Sequence, residues 1–313
     1  MKSRVLISAP YLVPSIDEFR PRFEASDIEL ILAPVRERLS ETELLPLVQD
    51  IEGIICGDDQ ISEKVLASAL SLKVISKWGT GVDSIDITAA ARRGVKVFNI
   101  PNSFTDAVAD TTLGYVLNFA RALREMDRDV RRGRWTKPDL LSLREWTLGI
   151  VGVGCIGKAV ARRANAFGMR ILGNDRAPID ALVAEQTELE VVPLHELLAQ
   201  SDVVTLHCDL NESSYRLIGR DELLKMKPTA FLINTSRGPV IDEASLVEAL
   251  EQNRINGAAL DVFEIEPLPI DSPLRKLRNC WLAPHNANSS QEARRRAHEI
   301  SIENLLNGLR DVH

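Results

Sequence analysis

The sequence predicts an α/β protein of two doubly wound parallel-sheet domains, and three observations carry that prediction. Short apolar runs alternate with stretches of helical spacing through residues 1–100, and a second alternation of the same kind begins at Trp146. Parallel strands need long crossovers, which helices provide, so this is the pattern of sheets wrapped by helices. The third is length: 313 residues exceed what one core comfortably organises, at roughly 100–200 residues per domain.

In the first series the strands are "RVLISA", "IELILA", "IEGIICG", "LKVISKWG" and "VKVFNIP", separated by segments with apolar residues at helical spacing. Residues 103–135, "SFTDAVADTTLGYVLNFARALREMDRDVRRGRW", keep helical periodicity throughout, with Ser103 and Thr105 as cap candidates. They predict one long helix joining the domains. The second series supplies "TLGIVGVG", "MRILGND", "DVVTLHC", "TAFLINTS", "GAALDVF" and "CWLAPH". The last segment, "SQEARRRAHEISIENLLNGL", is a helix that can cap either domain.

Composition narrows the function classes. The net charge of −7 leaves no basic field to collect a polyanion, and Arg294, Arg295 and Arg296 read as the solvated face of a helix, so no nucleic-acid partner is expected. The opening "MKSRVLISAPYLVP" holds one apolar run closed by Pro10, too short for a signal-peptide core or a membrane span. No membrane partner and a cytoplasmic location are the expectation. Cys56, Cys155, Cys208 and Cys280 lack the spacing of a zinc or redox site; they read as reduced core or near-core thiols, with no metal expected.

The strongest local signal is "TLGIVGVGCIGKAVARRANAFG", an apolar strand that runs through Gly152, Gly154 and Gly157 into an amphipathic helix. Gly152 suits the tight turn, Gly154 a close backbone approach to a pyrophosphate, and Gly157 close packing of helix on strand. The helix N-terminus offers free N–H groups and a positive dipole end to the phosphates. Asp175 ends the next strand 18 residues beyond Gly157, near the spacing of the acid that binds the adenosine ribose. Its charge repels a 2′-phosphate and favours NAD over NADP, although the adjacent Arg176 is a residue that can serve that phosphate. The motif marks the second domain as a Rossmann domain.

Three further stretches place polar residues at strand ends: "INTSRGPVIDE", "ALDVFEIEPLP" and "LAPHNANSS". Ligands of doubly wound sheets bind beyond the carboxyl ends of the strands, so Arg237, Asp261, Glu266 and His285 can converge on one crevice. Taken singly, Arg237 is an ordinary surface cation, Glu266 a loop acid and His285 a loop base.

Together with "KWGTGVDSIDITAAARRGVKVFNIP" and "INTSRGPVIDEASLVEALEQNRINGAALDVFEIEPLP", these motifs resemble the D-isomer-specific 2-hydroxyacid dehydrogenases along nearly the whole chain, with phosphoglycerate dehydrogenases the nearest likeness. The resemblance implies an NAD-dependent oxidoreductase that interconverts a D-2-hydroxy acid and its 2-keto acid. 3-Phosphoglycerate is one candidate substrate, and glyoxylate or hydroxypyruvate the alternative. It implies a flavodoxin-like substrate domain of residues 1–98 plus 289–313, an NAD-binding domain of residues 99–288, and a homodimer. It makes His285 the acid/base, Glu266 the partner that fixes its tautomer and favours the imidazolium, and Arg237 the substrate anchor. An imidazole titrates near neutral pH, and a guanidinium binds a carboxylate with two prongs. Gly79, Thr80 and Gly81 would bind the substrate carboxylate, with Lys77 as a nearby cation able to meet a remote phosphate. Around the cofactor the resemblance places Thr112, Cys155, Ile156, His207, Cys208, Thr235, Asp261 and Asn288.

Four departures from the family's usual pattern stand out. Asp209 adds a charge near the cofactor. Asn288 replaces a common glycine and suits a positive φ. Trp78 is bulky enough to narrow an entrance, and the C-terminal regulatory domain of many phosphoglycerate dehydrogenases is not expected. A second class of function, an NADH-sensing interaction protein like the family's corepressors, would need a partner-binding extension beyond the two domains; none is legible.

Overall fold

The computed structural model describes residues 2–311; Met1, Val312 and His313 lie outside them. The chain divides into two compact units, Met1–Phe104 with Ser290–His313, and Thr105–Ser289.

In the first unit, β1 (Ser3–Ile7), β2 (Ile28–Leu32), β3 (Gly53–Cys56), β4 (Val74–Lys77) and β5 (Lys96–Phe98) form a parallel sheet in the order β2-β1-β3-β4-β5. This is the flavodoxin-like order. β3 and β4 are buried along their whole length, which is why their apolar residues stand side by side rather than alternating with polar ones; buried Ser76 and Lys77 end β4. The helix Gln291–Arg310 packs on β3, β4 and β5. Its buried Ala293, Ala297, Ser301, Leu305 and Leu309 recur every fourth residue and form one stripe. Ile302 and Leu305 have 0% exposure, and burial of each contributes roughly 1.5–3 kcal/mol. That stripe packs the last segment into the first unit; its periodicity alone left open which domain it caps, while the family resemblance placed it with residues 1–98.

In the second unit, β6 (Thr147–Val151), β7 (Arg170–Asn174), β8 (Leu189–Val191), β9 (Val203–Leu206), β10 (Phe231–Asn234), β11 (Gly257–Leu260) and β12 (Cys280–Leu282) form a parallel sheet. The order is β12-β11-β10-β9-β6-β7-β8. Read from β8, the first six strands follow the 3-2-1-4-5-6 order of dinucleotide-binding sheets, and β12 extends the far edge. The winding reverses between β6 and β9, so the glycine turn after β6 opens at the switch point.

Four expectations are corrected. β8 was not among the predicted strands, because it is a three-residue edge strand with Glu190 and Val191 exposed, too short and too polar to show as an apolar run. The single helix expected over 103–135 is two, Thr105–Arg121 and Leu123–Arg131, broken at Ala122, whose φ of 46° is left-handed. Cys155 is an exposed thiol rather than a near-core one, since it is the first residue of the helix Cys155–Ala166. Arg294 leaves the solvated row of Arg295 and Arg296 and lies over the Tyr11 ring. Among the described residues no helix is long and apolar enough to cross a membrane.

Candidate active site

The turn after β6 is built by sterics. Gly152 has φ 91°, and a Cβ there would lie 2.6 Å from the backbone N of Cys208, so β9's continuation closes on the turn from one side. Gly154 caps the helix Cys155–Ala166 without a side-chain hydrogen bond, and a Cβ on it would meet nothing within 4 Å. The first N–H groups of that helix, those of Cys155 and Ile156 included, have no intrahelical acceptor. Gly157 sits against the Gly152 carbonyl, 2.2 Å from where its Cβ would be. At the end of β7, Asp175 accepts from Val153 N at 2.7 Å and from Ala177 N at 2.8 Å, which ties its carboxylate to the turn. Arg176 is exposed and donates to Ser213 Oγ at 3.3 Å.

Across the switch point, His207 follows β9. Burial drives its pKa down to about 3, so the ring is neutral; Nε2 meets Thr205 Oγ1 at 3.0 Å, and buried Nδ1 has no partner among the described residues. Thr112 is fully buried, donates to Val108 O at 2.9 Å and lies 3.3 Å from Thr235 Oγ1. Cys208 is half-buried, and its thiol pKa is raised to about 11 by burial. An open face over Gly154, an uncapped helix N-terminus, a tethered carboxylate one strand away and an orphaned imidazole nitrogen together fit a dinucleotide.

The adjacent strands β10, β11 and β12 present the remaining group at their carboxyl ends. Fully buried Asn234 shapes the turn after β10: its Nδ2 donates to Arg237 O at 2.9 Å, and its Oδ1 accepts from Ser236 N and Oγ at 3.0 and 2.8 Å. Arg237 is presented from that turn, its Nη1 donating to Ser236 O at 3.1 Å. After β11, Glu266 accepts from Phe263 N through Oε1 at 2.9 Å and meets His285 Nδ1 through Oε2 at 2.9 Å. A carboxylate only accepts, so Nδ1 carries the hydrogen. His285 has φ 48°, held by its N–H to Asp261 O at 2.8 Å. A non-glycine residue there is strained, and such residues cluster at active sites. The Asp261 carboxylate accepts from Asn286 N and Ala287 N at 2.9 and 2.8 Å; burial raises its pKa and those two bonds offset part of the rise.

The expectation for Asn288 is corrected here, because the positive φ falls on His285 while half-buried Asn288 has none. Asp209 is exposed, and its carbonyl accepts from Ser214 Oγ. Asn234 was missed in the sequence; the available signal was an amide ending the otherwise apolar strand "FLIN".

In the first unit, Lys77 ends β4 and leads through Trp78 into Gly79, Thr80 and Gly81. Lys77, expected as a cation able to meet a remote phosphate, is buried: it is 2% exposed and its Nζ pairs with Asp58 at 3.0 Å. A lysine neutralised in this way is not displayed to a remote phosphate. Trp78 is likewise corrected, being 6% exposed and packed rather than standing at an entrance.

Residues 113–287 match the model of the D-isomer specific 2-hydroxyacid dehydrogenase NAD-binding domain. The chain is 40% identical over 313 residues to a glyoxylate reductase of Korarchaeum cryptofilum, covering 98% of this chain and 92% of the relative. It is 42% identical over 277 residues to one from Thermofilum pendens, covering 85% and 81%. Among solved structures it resembles D-lactate dehydrogenase of Aquifex aeolicus complexed with NAD and lactic acid, at a TM-score of 0.85 and 25% identity over 96% of this chain and 93% of the other.

Proposed function

The chain belongs to the D-isomer specific 2-hydroxyacid dehydrogenase family, and from that premise we propose that it reduces glyoxylate and hydroxypyruvate, short unphosphorylated 2-keto acids, with NADH. Family membership makes it an NAD(P)-dependent oxidoreductase that interconverts a D-2-hydroxy acid and its 2-keto acid. The sequence likeness to phosphoglycerate dehydrogenases gives way to glyoxylate-type relatives, and the buried Lys77–Asp58 pair argues against the lysine meeting a remote phosphate.

The observation that carries the reading is the 2.9 Å contact between His285 Nδ1 and Glu266. When bound, the reduced nicotinamide supplies the hydride. His285, with Nδ1–H held by Glu266, gives the proton from Nε2 to the substrate oxygen in reduction and takes it back in oxidation. Arg237 offers paired N–H donors to the carboxylate or to the carbonyl oxygen as it gains charge. In this reading Asp261 orients the carboxamide, the backbone of Gly154, Cys155 and Ile156 holds the pyrophosphate, and Gly152 and Gly157 give the turn its shape around it. Thr112, His207, Cys208, Thr235 and Asn288 line the rest. In the first unit, which takes the substrate role, the amides of Gly79, Thr80 and Gly81 receive the substrate carboxylate. The second unit takes the cofactor role.

A homodimer belongs to the same reading; Leu123, Val130, Trp135 and Leu141 are exposed apolar side chains available to such a contact. The four free cysteines suit a reducing cytoplasm.

Cofactor choice tests the Asp175 assignment. In this reading Asp175, held by Val153 N and Ala177 N, turns its charge on a 2′-phosphate, and a like-charge contact of that kind costs several kcal/mol. NADH therefore gives the higher kcat/KM with glyoxylate, and Asp175→Ser narrows its lead over NADPH by about tenfold or more. A wild-type preference for NADPH, or a ratio indifferent to the substitution, removes Asp175 from this role.

A further inference from the structure

One cluster in the first unit has no part in the roles above. The Trp78 indole N–H donates to His298 Nδ1 at 2.9 Å, across 220 residues of sequence, from β4's end to the helix Gln291–Arg310. His298 is 4% exposed. Burial, with a smaller push from the Arg294 cation, lowers its pKa to about 4, so the ring is uncharged at neutral pH and Nδ1 accepts. Tyr11 and Phe104 flank Trp78 with centroids 5.2 and 5.3 Å away. The Arg294 guanidinium lies 5.1 Å from the Tyr11 centroid. An aliphatic side chain at 298 would pack this helix without desolvating an imidazole. What the imidazole adds is direction: the hydrogen bond fixes which way the indole lies.

The indole's orientation is transmitted to the next residues. Trp78 N donates to Cys56 O at 2.8 Å, Ile100 N to Gly79 O at 3.1 Å, and Asn99 Nδ2 to Thr80 O at 2.6 Å. The carbonyls of the loop are thus tied back, while its amides are left over. Among the described residues, the N–H groups of Gly79, Thr80 and Gly81 donate to no acceptor. Successive unengaged amides are how a backbone binds a carboxylate.

We propose that His298 is a positioning residue for substrate: by holding the Trp78 indole it fixes Gly79, Thr80 and Gly81 so that their amides converge on the substrate carboxylate. The proposal rests on the substrate-loop reading given above. It assigns His298 to affinity for the keto acid, and leaves the proton to His285 and the cofactor to the second unit.

The experiment is steady-state kinetics with glyoxylate, NADH affinity by fluorescence, and urea unfolding, on five variants: His298→Ala, His298→Gln, Trp78→Phe, the His298→Ala/Trp78→Phe double and Gly79→Ala. His298→Ala is expected to raise KM for glyoxylate about tenfold, the worth of one misdirected hydrogen bond to a charged group, with kcat and NADH affinity close to wild type. His298→Gln, whose amide oxygen can accept from the indole, restores most of the loss. Trp78→Phe keeps the ring but not the donor and reproduces the rise; the double variant adds nothing to it, because both remove the same bond. If His298→Ala does not fold, Trp78→Phe and His298→Gln carry the test. A wild-type KM in Trp78→Phe, a fall in kcat in place of the KM rise, or a glutamine variant as impaired as the alanine one overturns the proposal. Gly79→Ala separates the two layers: its Cβ would lie 2.8 Å from Lys77 Nζ at a φ of 155°, so it displaces the loop directly. An unchanged KM in Gly79→Ala overturns the substrate-loop reading itself. A raised KM there beside a normal one in Trp78→Phe overturns only the role of His298.

Discussion

Replacing His285 by Ala lowers kcat for reduction of glyoxylate by about 10²–10⁴-fold, the usual cost of losing a general acid, and leaves NADH affinity near wild type. Alanine also changes the backbone preference at a residue with φ 48°, so the control is His285→Asn. Asparagine tolerates the left-handed region and has no titrating proton to give. Both variants fall to the same level if His285 acts through Nε2. An active His285→Asn enzyme would mean that the position matters for the shape of the loop after β12 and not for proton transfer. Glu266→Gln lies between: its amide oxygen can still accept from Nδ1–H, but the negative charge beside the ring is gone, and kcat drops by about tenfold.

Gly238→Ala is expected to cost about 3 kcal/mol of stability and most of the activity, because two loops of the site touch at this glycine. A Cβ on Gly238 would lie 1.9 Å from the carbonyl carbon of Phe263, whose own N–H binds Glu266 at 2.9 Å. Arg237 precedes Gly238, so relief of the clash moves either Arg237 or the segment that holds Glu266. The partner atoms are backbone and cannot swing away as a flexible side chain would. Urea unfolding and kcat measured on the same preparation check this; a variant with wild-type midpoint and rate contradicts the close approach.

Much of this architecture is legible in the sequence because it is local. The apolar residues of "IEGIICG" and "LKVISKWG" stand side by side and do not alternate with polar ones, since β3 and β4 are covered on both faces. Gly152, Gly154 and Asp175 lie within one βαβ unit, so their spacing is fixed by strand and helix length. Arg237, Glu266 and His285 are legible for another reason: they lie in the segments that follow three strands pairing side by side, β10 on β11 and β11 on β12. The features that escaped depend on partners far along the chain or on one backbone angle. Lys77 shows no sign in sequence that Asp58 will neutralise it, nor Trp78 that His298 waits 220 residues later. Ala122 breaks a helical pattern with the residue type that most favours helix, so no propensity could have placed the break there.

The central claim is that this chain reduces short 2-keto acids to the D-hydroxy acid with a nicotinamide hydride and the proton of His285. The most direct measurement is the configuration of the glycerate formed from hydroxypyruvate and NADH, resolved by chiral chromatography, with phosphohydroxypyruvate run in parallel. The account predicts D-glycerate alone, formed in step with NADH consumption, and a kcat/KM for the phosphorylated substrate lower by about tenfold or more, since Lys77 is already paired with Asp58. L-glycerate, a mixture of isomers, preference for phosphohydroxypyruvate, or no NADH consumption with either acid would contradict it.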